Sequence, residues 1–233
     1  MINVSESYGA VRGRSATRTQ IVQAMEHALD PNQDGDTSDH VDIVLLDAAG
    51  AAAFYQQHEQ SGSPAFLDQQ MIQKASALGM TVVTFAGENG HTSTYGEEML
   101  TNNRNWISWQ GSAPAAITVG SAVIAADGET VVPAAWSPMG PVRGSKDLKP
   151  EVMSFAKDVP VALISNADAT AATKGRLTGA ITASARIAAA IAVIKSAHPE
   201  LGPVELKALL ANTANHNIKE TMPKLVKYSS RPN

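Results

Sequence analysis

The segment from Leu177 to Lys195, L-T-G-A-I-T-A-S-A-R-I-A-A-A-I-A-V-I-K, restricts the possible folds of this chain more than any other stretch. It is apolar or small on every side and starts beside a glycine, so as a helix it has no polar face to offer water. Such a helix is normally a central one, and its alanines let neighbouring backbones come close. The sequence therefore predicts a core helix buried among other elements. Arg186 interrupts the run and Lys195 ends it, short of the apolar length a bilayer requires, so no membrane span is expected.

The elements around that helix alternate in type. From Thr17, the apolar positions Ile21, Met25, Ala28 and Leu29 fall at helical spacing, and Asp30-Pro31 stops the helix. Val41 to Leu46 is a nearly continuous aliphatic run, as in a strand covered on both faces. Ser63-Pro64 opens a helix carrying Phe66, Leu67, Met71 and Leu78, closed by Gly79. Met80 to Ala86 and Ala116 to Val123 read as further strands, and Met1 to Val4 as a short one at the start. Gly202-Pro203 begins a last helix with Val204, Leu206, Leu209 and Leu210 on its buried side. Strand, helix, strand in this order predicts parallel crossover units and a layered α/β domain. No repeat or linker divides the 233 residues, so one domain spanning 1–233 is expected.

Composition excludes several functions. A formal charge of -4 argues against a nucleic-acid partner. Without cysteine there is neither a disulfide framework nor thiol chemistry. Met1 leads into Ile-Asn-Val with no basic or apolar leader pattern. A small-molecule-binding α/β domain needs a Gly-rich phosphate loop after its first strand, and none is present.

Several segments together resemble the subtilisin-like serine peptidases, the subtilases. Thr178, Gly179, Ala183, Ala185, Ile187, Ala188 and Ala190 match the family's nucleophile segment S-G-T-S-x-A-x-P/A-x-V-A-x-A-x-A-L. V-D-I-V-L-L-D-A-A-G looks like the A-D-V-I-N-M-S-L-G strand that walls the substrate cleft. T-V-V-T-F-A-G-E-N-G resembles V-V-V-A-A-G-N-x-G, which carries the oxyanion asparagine. P-A-A-I-T-V-G-S-A, A-W-S-P-M-G-P, L-K-P-E-V and L-K-A-L-L-A-N-T-A follow in family order. The resemblance implies a subtilisin-like three-layer α/β sandwich with a mostly parallel sheet. The part of the fold that carries the family's aspartate and histidine segments, ahead of these motifs, has no counterpart in the sequence. An extracellular or periplasmic location is also implied.

The departures fall on the chemistry. The nucleophile position is Ile181, which has no hydroxyl to attack a carbonyl and no proton for a base to remove. The oxyanion position is Glu88, a carboxylate where an amide donor is needed; Asn89 supplies the amide if the correspondence slips one place. Asp47-Ala48-Ala49 stand where the family has Ser-Leu-Gly, and Ser154-Phe155-Ala156 where it has Ala-Pro-Gly. With Gly179, the residues Asp47, Ala48, Ala49 and Asn89 would line the cleft. Ser38-Asp39-His40 are consecutive, so they cannot build a relay in which each side chain orients the next, and they read as a polar turn. The expectation is a catalytically inactive homologue that binds a peptide or protein segment or plays a structural part. An active serine endopeptidase completed by segments outside this chain is the alternative.

Asp30, Asn32, Asp34, Asp36 and Asp39, with Gly35 at the sixth position, follow the spacing of calcium loops. The twelfth position is Val41, leaving Asp39 or Asp42 to complete the ligand set, and the plain alternative is a solvated acidic turn. Similar inserts among calcium-stabilised subtilases favour a structural calcium site. The resemblance also implies that the Val41 to Leu46 strand lacks one neighbour, so pairing by the N-terminal segment or a homodimer through an open sheet edge is expected.

Overall fold

The computed structural model describes residues 17–47, 67–88, 90, 107–142, 145, 147–164 and 172–215. The short strand expected at Met1 to Val4 lies outside them. Helix α1, Arg18–Leu29, begins with a capping box in which the Thr17 side chain accepts from the Gln20 N–H and the Gln20 side chain accepts from the Thr17 N–H. Its buried residues Ile21, Met25, Ala28 and Leu29 are those the spacing selects. A single 3₁₀ turn, Thr37–Asp39, leads into strand β1, Ile43–Leu46. Helix α2, Leu67–Ala77, ends before Gly79, whose φ of +105° and 3.0 Å clearance to His40 Nε2 leave no comfortable place for a side chain.

Strands β2, Thr81–Phe85, and β3, Ile117–Ile124, continue a parallel run with β1 in the order β1-β2-β3. Strand β4, Val131–Pro133, is antiparallel to β3, and β5, Val152–Phe155, is parallel to it. Strands β6, Val159–Ile164, and β7, Ala172–Leu177, form a separate antiparallel pair. Helices α3, Ala180–Ala197, and α4, Pro203–Thr213, complete the described elements.

Strand alternation sorts the core into two halves. Val82 joins Ile21, Met25, Ile72 and Met80 on the α1/α2 face, while Val83 joins Ile117, Val119, Ile191 and Leu206 on the α3/α4 face. The result is the expected three-layer sandwich with a mostly parallel sheet.

Burial departs from expectation in the third layer. Helix α3 touches β1, β2, β3 and β5, yet only 28% of its 18 residues are buried. Ala185, Ala189, Ala192 and Val193 face outward, so the helix is apolar all round without being covered all round. By length and composition α3 is long and apolar enough to span a bilayer; its contacts with the strands, rather than its length, make it a layer of this domain. Leu177 and Thr178 belong to β7 and the turn after it, so the helix starts later than the apolar run. In α4 only Leu206 is buried, whereas Val204 is 71% exposed and Leu209 also reaches solvent. Leu67 and Leu78 of the α2 region are exposed as well. Both segments form helices, but at these positions the face expected to be buried meets solvent.

Two buried polar knots hold the layers in register. Asp68 on α2 accepts from Trp109 Nε1 at 2.6 Å and Gln110 Nε2 at 2.8 Å. Across the sheet, Glu151 accepts the Thr118 N–H at 2.8 Å and pairs with Lys149 at 2.7 Å and Lys207 of α4 at 2.6 Å. Lys149 is 4% exposed and also donates to Ala116 O at 2.9 Å and Thr118 Oγ1 at 3.1 Å.

Burial pushes the Lys149 ammonium down to about 8, overriding the opposing pull of Glu151, and the charge of Lys207 adds to the lowering. Between that value and the ordinary 10.5 the unfolded chain holds a proton that the folded chain has released, so this group makes stability rise with pH across that window. Urea midpoints measured between neutral and alkaline pH are expected to carry this rising component and to lose it in Lys149→Met. Equal pH slopes for the two proteins would show that Lys149 titrates normally.

Candidate functional site

The C-terminal ends of β1 and β2 and the start of α3 converge. After β2, Ala86 is pinned by its N–H to Val119 O at 2.8 Å, and Gly87, with φ +117°, turns the chain so that Glu88 faces α3. From the other side, the Gly179 N–H donates to Ala156 O at 2.8 Å, which places the helix start beside the end of β5. Gly179 has φ 156° and ψ 165°, a backbone state kept for glycine.

Glu88 Oε1 accepts the Ala180 N–H at 2.7 Å. A Cβ placed on Gly179 would come within 2.8 Å of the same oxygen, so glycine is required here for space as well as for backbone angle. The first amides of a helix lack intrahelical acceptors and carry its positive end, and a carboxylate suits both. Glu88 therefore acts as a distant cap on α3, replacing the side-chain cap that Gly179 cannot provide.

Ile181 occupies the first turn of α3, half-buried, with no chemistry to offer. The neighbouring hydroxyls are engaged within the helix. Thr182 Oγ1 donates to Gly179 O at 2.7 Å and Ser184 Oγ to Ile181 O at 3.0 Å, and both side chains are buried. Their roles in closing the first helical turn are local, and their spacing of three residues from the acceptor was the available sequence signal.

Asp47 follows β1 directly. Loss of water around its carboxyl raises its pKa, and the negative charge of Glu88 raises it further. The site thus joins two acidic side chains, a helix N-terminus and Gly179. It holds a ready hydrogen-bond acceptor where the subtilase correspondence asks for a donor. Ala48, Ala49 and Asn89, the other expected cleft residues, lie outside the described residues.

The acidic loop after α1 is wound by its own hydrogen bonds. Asp30 accepts the Asp34 and Gly35 N–H groups at 3.1 and 2.9 Å, Asn32 accepts the Asp34 N–H at 3.0 Å, and Asp34 accepts the Asp36 N–H at 2.8 Å. Asp36 accepts the Ser38 N–H at 2.9 Å and the Ser38 hydroxyl at 2.9 Å, which holds its carboxyl below the usual range. Asp39 lies in the 3₁₀ turn. Among the described residues, no three acidic or histidine side chains converge as ligands for a cation. Asp30, Asn32, Asp34, Asp36 and Asp39 thus share a loop without forming a ligand cage, because most of their oxygens are turned toward backbone amides.

These features define an α/β domain of subtilisin-like architecture. The Subtilase family model matches residues 7–227, and the chain belongs to that family. Its fold is similar to a cold adapted subtilisin-like serine proteinase, with TM-score 0.57 and 15% identity over 88% of this chain and 57% of that one. It is also similar to Sphericase, with TM-score 0.61 and 18% identity over 85% and 56% of the two chains. A protease from Pseudoalteromonas arctica PAMC 21717 gives TM-score 0.63 and 18% identity over 88% and 55%. The chain thus spans a little over half the length of these solved relatives. No curated protein matches the sequence significantly.

The electrostatic coupling at the site is testable. Because the folded chain keeps the Asp47 proton above the ordinary 3.8, stability falls as pH rises from there through the folded midpoint. In Glu88→Gln the Asp47 midpoint, followed by carboxyl-carbon NMR, is expected to move down but to remain raised, since burial is the larger cause. An unchanged midpoint would mean the two carboxylates do not interact.

Proposed function

We propose that this chain is a catalytically silent subtilase domain that holds an extended peptide or protein segment, or serves as a structural module, within a larger assembly. The observation carrying this reading is the Glu88 carboxylate on the Ala180 N–H. Acyl transfer builds negative charge on a carbonyl oxygen and needs donors aimed at it, each worth about 3 kcal/mol. Here an amide at the start of α3 is already engaged, and the group engaging it carries the same charge as the intermediate it would face. Ile181 removes the attacking oxygen as well. Binding needs none of these groups, because an extended segment is held mainly by main-chain hydrogen bonds and side-chain pockets.

The reading predicts no hydrolysis of peptide or ester substrates and no labelling by serine-directed phosphonates. Ile181→Ser alone is expected to remain inert, since Glu88 still opposes the developing oxyanion. Stoichiometric labelling of the unaltered chain between Gly179 and Ser184 would overturn the proposal. Family habit supports placement outside the cytoplasm, extracellular or periplasmic.

Calcium at the loop of Asp30, Asn32, Asp34, Asp36 and Asp39 is a separate proposal, supported by the alternation of oxygen-bearing side chains and by the positive φ of Gly35, +88°. A cation there must draw carboxylates away from the amides they now serve. The expected outcome is a higher melting temperature in excess calcium than in chelator, lost in Asp34→Ala. Coincident curves for the unaltered chain would leave the loop as a self-supporting turn.

A further inference from the structure

Two ammonium groups share one carboxylate oxygen where α4 meets the sheet. Lys149 Nζ lies 2.7 Å and Lys207 Nζ 2.6 Å from Glu151 Oε1. Both also donate to Ala116 O, at 2.9 and 3.2 Å, so the two nitrogens are immediate neighbours with the same two acceptors between them. Glu151 supplies one negative charge for two positive ones, in a place nearly closed to water: the side chains of Lys149 and Glu151 are 2% and 9% exposed. Like charges set so close, with little solvent between them, disfavour each other's charged state. The Lys207 side chain is 26% exposed and keeps water to solvate its charge, so the proton that gives way is the one on Lys149. Facing Lys149 are Glu151 from the start of β5, Ala116 O and Thr118 Oγ1 from the start of β3, and Lys207 from α4. No other described charged side chain pairs with it.

The competing cation sits on a lightly held helix. Of the four described helices α4 buries the fewest residues, Leu206 alone. Leu201 and Leu210 pack half-buried beside the same apolar cluster, and Gly202 gives the helix start no side-chain cap. The remaining tie is Lys207, which also donates to Pro114 O at 2.6 Å. Helix α3, by contrast, rests on four strands. Local openings follow such differences, because an element with few buried contacts detaches while the rest of the domain stays folded. When α4 leaves, it takes the Lys207 charge with it. Glu151 then keeps the Thr118 N–H and one amine neighbour, and a proton regained by Lys149 balances the carboxylate.

We propose that α4 is a proton-linked latch: Lys149 and Lys207 compete for the Glu151 oxygen, so docking of α4 expels the Lys149 proton and release of α4 restores it. Release bares the seat of Leu206 among Val83, Ile117, Val119 and Ile191 without unfolding the sheet. An opening that takes up a proton is opposed by rising pH. Below about 8 Lys149 is protonated whether α4 is docked or released, and pH does not act on the latch. Above that value the docked state alone has lost the proton, and release becomes harder with each step in pH until the released state titrates too. The latch goes beyond the silent-peptidase reading, because it concerns the α4 side of the sheet rather than the start of α3, and its test does not involve hydrolysis.

Hydrogen exchange of the full chain, followed by mass spectrometry from neutral to alkaline pH and corrected for the intrinsic rate, tests the latch. The α4 amides are expected to exchange through an opening that leaves β2 protected. Their protection is expected to increase above the Lys149 midpoint by up to about tenfold per pH unit, the limit for one proton. Lys149→Met is expected to flatten that slope. Lys207→Gln is expected to lower α4 protection and, in side-chain nitrogen NMR of the folded chain, to move the Lys149 midpoint upward. The NMR titration reads the coupling whether or not Lys149→Met folds. An unmoved midpoint in Lys207→Gln would mean that the two amines do not compete, and would overturn the proposal. So would α4 amides that exchange only together with those of β2, or a pH slope that survives in Lys149→Met.

Discussion

The carboxylate of Glu151 is the fastening on which the third layer depends. One oxygen takes the N–H of Thr118 in β3, and the other takes the ammonium groups of Lys149 and Lys207, so one side chain binds the start of β5 to β3 and α4 to both. With α4 held, Leu206 backs the sheet beside Ile191 of α3 in one apolar cluster with Val83, Ile117 and Val119. The position of the α3 start relative to the strand ends follows from that arrangement. Removing one partner of such a buried ionic group leaves the others uncompensated, which costs far more than the pair contributes when whole.

Once α3 is seated, the character of its first turn is decided by a competition for one backbone amide. A hydrolytic site and a capped helix both want the positive end of a helix, the first for a charge that appears briefly and the second for one that is always present. In this structure Glu88 holds that amide. Asp47, held partly out of water on the neighbouring strand, pays the electrostatic consequence through a raised affinity for its proton.

Much of the frame was legible because local pattern and burial coincide in it. Thr17 with Gln20 and the Ile21, Met25, Leu29 stripe mark α1, and the aliphatic runs mark β1, β2 and β3 to within a residue or two at their ends. The β6–β7 pair was missed for physical reasons: Pro160 interrupts one strand and the polar T-K-G-R of the other gives no alternation toward a core. The knot of Lys149, Glu151 and Lys207 could not be read, because Lys207 lies far along the chain from the other two and a distant charge announces no geometry. Of the site, Ile181 and Glu88 were legible only through family correspondence. That correspondence singles out the two positions but not the bond from Ala180 to Glu88, which arises only once the turn at Gly87 and the turn at Gly179 face one another. The outward side of α3 shows the converse limit, since hydrophobicity states what a surface prefers to meet and says nothing about whether that neighbour is present.

Gly179 gives these relations a consequence for how such a chain tolerates change. Its backbone angle and the nearby Glu88 oxygen both exclude a side chain, so substitutions there strike at folding whether or not any reaction is carried out. Ile181, two residues on, answers to no such steric demand. The turn therefore constrains the two positions unequally: the glycine is pinned by architecture, while Ile181 answers to other demands. Two neighbours on one turn thus differ in what the backbone requires of them.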